Sequence, residues 1–404
     1  MTICPDCDLP HRVLESSARG RVRCVRCGAL LRQRNPHSLE WTLALALGGL
    51  VFFILATALP FLTFELNGRL QVNTLAAGAW ELGARGLWEL GALVLVTSML
   101  APLIHLLGLI WLLLPLVLGR RPWQGVRVFR LVAEWGRWGM MEVYMLGVLV
   151  AFVKLGQMAQ VETGSAFFAF AALMVIISAT RTVLDPEELW QRLRPLAPLP
   201  AGLREDIRCR HCGLTWSAAA GRCPRCRAVL HRRIPASLER SWALLLAAAI
   251  CYIPANLLPI MTVIRLGRGH PDTILSGVES LIQSGLWPLA AIVFFASILV
   301  PVLKLAVMAG LLLSVGRGWS TRLRERTVLY RFTETIGRWS MIDIYMISIL
   351  VALVKLGNVA TVEPGPGAVF FAAVVILTML AAEQFDPRLI WDRARPSGKE
   401  ARHG

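Results

Sequence analysis

Residues 4–27 read CPDCDLPHRVLESSARGRVRCVRC, and residues 209–226 read CRHCGLTWSAAAGRCPRC. Each stretch carries two CxxC pairs and stands ahead of a long hydrophobic block. A CxxC turn aims two thiolates at one ion, and a second such turn completes a tetrahedral set of four sulfurs. Cys4, Cys7, Cys24 and Cys27 make the first set; Cys209, Cys212, Cys223 and Cys226 make the second. Together they account for eight of the nine cysteines. Gly28 and Gly213 follow their pairs, where glycine relieves the strain of a tight turn. Sixteen residues separate the pairs in the first set and ten in the second. Two structural zinc ions are expected, with iron as the alternative occupant. Four thiolates leave no open coordination position, so hydrolytic metal chemistry is not expected. Segments this short cannot build a core of their own, and the metal is expected to hold each ribbon together.

The rest of the chain is a membrane sequence. Of its 404 residues, 56% are hydrophobic and 17% charged, and the mean hydropathy is +0.58. Soluble domains average about 45–50% apolar and about 25% charged. The excess lies in runs of about twenty residues, enough to cross a bilayer. The net charge of +16 would suggest nucleic acid in a soluble protein. Here the arginines cluster in short loops beside the hydrophobic runs, so the charge reads as membrane topology and no nucleic-acid partner is expected. The opening MTICPDCDLPH lacks the basic and apolar regions of a secretory signal. The cysteines are therefore expected in the cytoplasm, where metal is favoured over disulfides.

The two halves are copies. A shift of 199 pairs Ser38-Leu39-Glu40 with Ser237-Leu238-Glu239, Pro60 with Pro259 and Pro102 with Pro301. A shift of 201 pairs Gly136-Arg137-Trp138 with Gly337-Arg338-Trp339, Tyr144 with Tyr345 and Asp185 with Asp386. Repeats in the same orientation are related by an axis along the membrane normal. Hydropathy places four spans in each copy: about 41–63, 88–118, 139–159 and 165–184, then about 241–263, 286–315, 340–360 and 367–385. The expected fold is a mainly α membrane protein. It is a tandem duplication, each repeat a four-cysteine zinc ribbon followed by a four-helix transmembrane block, eight spans in total. The boundaries are 1–36 for the first ribbon, 37–192 for the first block, 193–235 for linker and second ribbon, 236–395 for the second block and 396–404 for a tail. The loop over 119–137 holds Arg120, Arg121, Arg127, Arg130 and Arg137, and its copy holds Arg317, Arg322, Arg324, Arg326, Arg331 and Arg338. This bias places both termini and both ribbons in the cytoplasm.

An ionisable group deep in a span is costly and points to function. Lys304 lies thirteen residues before Arg317, about 20 Å at ~1.5 Å per residue, too far to snorkel. Its copy is His105, and each follows a proline, Pro301 or Pro102, by three residues. Proline frees a backbone carbonyl that a cation could satisfy. Thr378 in the eighth span could face Lys304. Glu142 and Asp343 are copies at the start of the third spans and could pair with arginine. Tyr252 to Pro259 holds two prolines and Asn256, and such a segment suggests a broken first span lining a path. Proton or substrate coupling through Lys304, Thr378, His105, Asp343, Glu142 and Asn256 is the functional expectation; structural pairing is its rival. No GxxxxGK[ST] loop, HExxH or serine-nucleophile elbow occurs, so the sequence reads as a non-enzyme.

These residues resemble the PqiA/LetA family, the paraquat-inducible protein A-like inner-membrane proteins. The resemblance rests on Cys4-Pro5-Asp6-Cys7-Asp8 with Cys24-Val25-Arg26-Cys27-Gly28, on Asn256-Leu257-Leu258-Pro259, and on Gly337-Arg338-Trp339-Ser340-Met341-Ile342-Asp343-Ile344-Tyr345 followed by Val351 to Gly357. It covers nearly the whole chain. It implies a bacterial inner-membrane, multi-pass protein with cytoplasmic zinc ribbons, a subunit of an intermembrane lipid transport system. Its implied partner is a periplasmic MCE-domain tunnel protein, and membrane lipids are the implied substrate. His105 in the first copy and Arg181 depart from the expected polar pattern and move the working site toward Lys304 and Thr378. The rival readings are a scaffold whose ribbons recruit a partner, and an iron-containing redox membrane protein.

Overall fold

The computed structural model describes residues 2–11, 20–66, 69–156, 160–196, 206–217, 220–265, 268–353 and 360–392. The expected tail and most of the linker ahead of the second ribbon lie outside these residues. Each ribbon is a pair of knuckles on short antiparallel strands, Thr2–Ile3 with Pro10–His11 and Gly20–Arg23 with Leu30–Arg34 in the first. All four knuckles share one geometry. The amide after the second cysteine donates to the carbonyl of the first: Asp8 to Cys4, Gly28 to Cys24, Gly213 to Cys209 and Arg227 to Cys223. The donor residue is left-handed every time, with φ of 57°, 75°, 71° and 61°. Glycine suits two of these places; Asp8 and Arg227 hold the same turn at roughly 1–2 kcal/mol.

Within each block the first span packs along the fourth, Ser38–Ala58 on Ser165–Val183 and Ser237–Leu257 on Gly367–Gln384. The third spans, Met141–Gly156 and Ile342–Leu353, pack on each other at the centre. There Tyr144 meets its own copy Tyr345 edge to face, ring centroids 5.2 Å apart. A residue touching its own copy marks a pseudo-two-fold contact. At the end away from the ribbons each block carries a three-stranded antiparallel sheet, Leu62–Leu66 with Arg69–Asn73 and Gln160–Thr163, and Met261–Arg265 with Arg268–Asp272 and Ala360–Pro364.

Among the described residues, seven helices are long and apolar enough to cross a membrane. The chain is a multi-pass membrane protein. Eight spans were expected; the difference lies in the third span of the first copy. Met141–Gly156 is a shorter apolar helix of 16 residues. Its copy is continuous with the helix before it, over Leu323–Leu353. The arginine-rich stretches are not simple loops. They form amphipathic helices Gly125–Trp135 and Leu323–Ile336, with Phe129 and Val132 buried in one and Thr327 and Tyr330 in the other.

The prolines of the second spans act differently from expectation. Trp88–Val117 and Trp287–Gly316 each contain a five-residue π turn, Val96–Leu100 and Phe295–Leu299, just ahead of Pro102 and Pro301. Proline has no amide to continue the regular ladder, and the preceding Ala101 and Val300 reach back five residues to Val96 and Phe295. In the first copy the Thr97 carbonyl accepts from the Met140 amide at 3.3 Å, not from a cation. The broken first span is also corrected. Ser237–Leu257 runs unbroken through Pro254, and Asn256 donates to the Tyr252 carbonyl of its own helix at 2.8 Å. Asn256 therefore does not reach the Lys304 group.

The ribbons cross over. The first rests on the second block: Arg331 donates to Asp6 at 2.6 Å and to the Cys27 carbonyl at 2.9 Å. Arg233 bridges Asp8 and Asp392, and the Arg26 guanidinium lies 4.1 Å over the Trp391 ring. The second ribbon rests on the first block, where Arg225 grips both Glu187 oxygens at 2.9 and 2.7 Å. Arg208 donates to the Ile3 carbonyl at 2.7 Å and ties ribbon to ribbon.

Candidate metal centres and the polar membrane site

In each quartet the sulfurs lie within 4.8 Å of one another and all four are buried. Paired sulfurs stand 3.5 Å apart: Cys4 with Cys27, Cys7 with Cys24, Cys209 with Cys226 and Cys212 with Cys223. A disulfide would need about 2.05 Å. A tetrahedral ion with ~2.3 Å bonds to sulfur needs sulfurs about 3.8 Å apart. The residues fit an ion held by four thiolates, and both groups could bind metal. His11 was not flagged from sequence; its Nε2 lies 3.2 Å from Cys24 Sγ, beside the first quartet. A histidine four residues past a CxxC pair was the available cue.

Lys304 is 3% exposed and Thr378 1% exposed. The structure brings them together. Lys304 Nζ donates to Thr378 Oγ1 at 2.8 Å and to the Gly337 carbonyl at 3.4 Å, and the threonine donates on to the Val375 carbonyl of its own helix. Gly337 lies close under the ammonium: an added Cβ would sit 3.0 Å from Nζ, so the lysine tip would have to shift. His105 occupies the matching place in the first copy, against Gly136, whose added Cβ would lie 3.3 Å from Nδ1. Its Nε2 is 3.5 Å from Thr180 Oγ1. The Gly136 carbonyl is instead taken by Arg181, from the fourth span, at 2.6 Å. His105 and Lys304 are therefore in separate blocks and do not form one network.

Glu142 accepts from Ser178 at 3.0 Å and lines a cavity of about 180 Å³ with Met140, Val143, Arg181, Arg338 and Trp339. Asp343 is buried, 3% exposed. It lines a narrower cleft of about 30 Å³ with Ile260, Asp272, Thr273, Gly277 and Ile347 among others.

A family model described as Paraquat-inducible protein A matches residues 39–194 and 238–395, one match per copy. The chain is 37% identical over 398 residues to Lipophilic envelope-spanning tunnel protein A of Escherichia coli (strain K12), spanning 98% of this chain and 92% of that protein. It is 34% identical over 411 residues to Intermembrane transport protein PqiA of the same strain, spanning 98% and 97%. No solved structure matches it. With matches in both membrane blocks and identity running nearly end to end, the chain belongs to the paraquat-inducible protein A family.

Proposed function

We infer that the protein is the inner-membrane subunit of an intermembrane lipid transport system, with both ribbons in the cytoplasm and the two sheets facing a periplasmic MCE-domain tunnel partner. Lipid would pass between the membrane and that partner. The printed names of two relatives, an envelope-spanning tunnel protein and an intermembrane transport protein, support the system-level reading. Arginine bias at the ribbon end supports the orientation.

The observation that carries the site is the contact between Lys304 and Thr378 inside the second block. An ammonium deep in a span costs about 2.5–3.5 kcal/mol on insertion scales. A charge-assisted hydrogen bond returns about 1.5–3 kcal/mol, so the arrangement is near balance and can be switched by protonation or by a passing headgroup. The cleft at Asp343 has room for only about two waters, at ~10–15 Å³ each. Transport by this path needs the helix Ile274–Gln283 to move off the third span. The ribbons carry zinc in a structural role, since the four-thiolate set is closed. Lipid exchange between the membranes of cells carrying Lys304→Ala is the test. Normal flux at normal protein level would remove Lys304 from the mechanism.

A further inference from the structure

The 180 Å³ cavity between the two blocks has a composition that lipid passage through the second block does not use. Two guanidinium groups enter it from different repeats, Arg181 from the fourth span and Arg338 from the turn ahead of Ile342–Leu353, with Glu142 and Trp339 beside them. Arg181 is committed to the Gly136 carbonyl at 2.6 Å, and more loosely to that of Gly139 at 3.5 Å. Arg338 is half-buried and, among the described residues, makes no hydrogen bond or close ion pair; Glu334, one turn before it, is an opposing charge at longer range and is shared with Arg137.

The duplication explains why Arg338 lacks a close partner. Its copy, Arg137, reaches across the repeat boundary and pairs with Glu383 at 3.5 Å. The pseudo-symmetric partner for Arg338 would be the copy of Glu383, which is Thr182. The Glu383 carboxylate has no counterpart on that side. On that side the fourth span supplies Arg181, where the other copy has Ala382. The cavity thus gains one cation and loses one anion relative to its counterpart. Among the lining residues, two guanidiniums against Glu142 leave a net positive charge.

We propose that this cavity is an oxyanion site that takes a phosphate group, with Arg338 as its free donor. Guanidinium matches phosphate geometry in a two-bond grip. The place suits a lipid headgroup. It lies at the ribbon end of the spans, where basic pockets between helices recognise anionic lipids, and Trp339, 47% exposed, sits where interfacial aromatics anchor. The same chemistry would accept free phosphate, so the source has to be measured. The site is separate from Lys304 and stands whether or not the chain moves lipid.

The experiment is native mass spectrometry of the full-length protein in a phosphate-free maltoside detergent supplied with phosphatidylglycerol or with diacylglycerol. The wild type should retain phosphatidylglycerol at least tenfold over diacylglycerol. Arg338→Gln should lower that retention about tenfold, since its side chain holds no protein group and the fold should survive. Glu142→Gln should raise it. Lys304→Ala should retain it like the wild type, which separates this site from the transport reading. Competition by millimolar inorganic phosphate assigns the site to the free anion, and its failure assigns it to the headgroup. Equal retention of diacylglycerol, or retention unchanged in Arg338→Gln with thermal stability intact, overturns the proposal.

Discussion

The two copies solve one packing problem with different chemistry. Each has a glycine carbonyl at the turn ahead of its third span, and each brings a cation to it. In the first block the cation is Arg181, from the fourth span; in the second it is Lys304, from the second span. A guanidinium keeps its charge under all ordinary conditions, whereas a lysine ammonium can release a proton. The copies also differ in closure. Helix Ala77–Ala84 presses Gly78 against Ser348 of the other block, while a Cβ added at the matching Gly277 of Ile274–Gln283 would meet no atom of another element within 4 Å among the described residues, and Gly277 lines the cleft at Asp343. A fixed charge sits in the copy whose helix Ala77–Ala84 is packed tight, and an exchangeable charge sits in the copy whose matching helix lines the Asp343 cleft.

The largest effect should come from the ribbons, because each packs its cysteine quartet on the opposite copy while bonding its own block through residues such as Asn35 and Arg210. A structural four-thiolate zinc site is worth on the order of 10 kcal/mol in small ribbons. Cys24→Ser with Cys27→Ser should release the first ribbon and loosen the second block, through Asp6 with Arg331 and Asp8 with Arg233. Hydrogen exchange should rise in Leu323–Ile336 more than in Gly125–Trp135. The reverse order would mean that each ribbon serves its own block and that the crossover carries no load.

Next in size is the cation exchange itself. Lys304→Arg keeps the charge but removes the proton that can leave, so lipid flux should fall about a hundredfold, ~2.7 kcal/mol, with the fold intact. Arg181→Lys should cost less than threefold. Equal losses in the two variants would erase the functional distinction between the copies.

How much of this could be read beforehand depends on distance along the chain. The knuckles were legible because their geometry is local: four residues and one left-handed turn fix them, and only the identities of Asp8 and Arg227 at that turn hid the uniformity. The duplication was legible from Tyr144 and Tyr345, Pro102 and Pro301. The partnership of Lys304 with Thr378 followed from two polar residues in otherwise apolar spans. The crossover was not legible, since it rests on pairs such as Arg225 with Glu187 and Arg331 with Asp6, 38 and 325 residues apart. Asn256 was misread because proline and asparagine usually signal a break. Here the helix closes over Pro254, and the asparagine caps a carbonyl in its own last turn.

A smaller effect tests closure. An alanine at Gly78 would place its Cβ 2.9 Å from the Ser348 carbonyl oxygen, a backbone atom that cannot rotate away. Overpacking of this kind costs about 1–3 kcal/mol. Gly277→Ala meets nothing and should gain up to about 1 kcal/mol of helix propensity. Opposite signs in the melting temperature are expected; a matching loss at Gly277 would show that the cleft is closed in the membrane.

The smallest difference is electrostatic and lies just past the fourth spans. Asp185 and Asp386 are copies that cap the same turn, Asp185 accepting from the Glu187 and Glu188 amides and Asp386 from the Arg388 amide. Burial pushes both carboxyls up. At Asp185 burial prevails over those amides and the Arg32 charge, and the carboxyl stays above its usual range. At Asp386 two side-chain bonds from Arg388, both 2.8 Å, prevail with the Ile234 amide and hold it below that range. Arg388, two residues past Asp386, supplies the bonds that tip the balance; its counterpart beside Asp185 is Glu187, whose carboxylate is held by Arg225 instead. A depressed folded pKa means that ionised Asp386 adds stability above its unfolded pKa of about 3.9, and that this is lost as pH falls through the lower folded value. A raised folded pKa means that Asp185 favours folding only when protonated. Asparagine caps a helix about as well as aspartate, so Asp185→Asn should be neutral or slightly stabilising at pH 7. Asp386→Asn should cost about 1–2 kcal/mol there, the worth of charge-assisted bonds to one arginine, and the loss should fade toward pH 3. Melting curves of both variants across that range decide it: parallel pH profiles would mean that the Arg388 contact does not distinguish the copies.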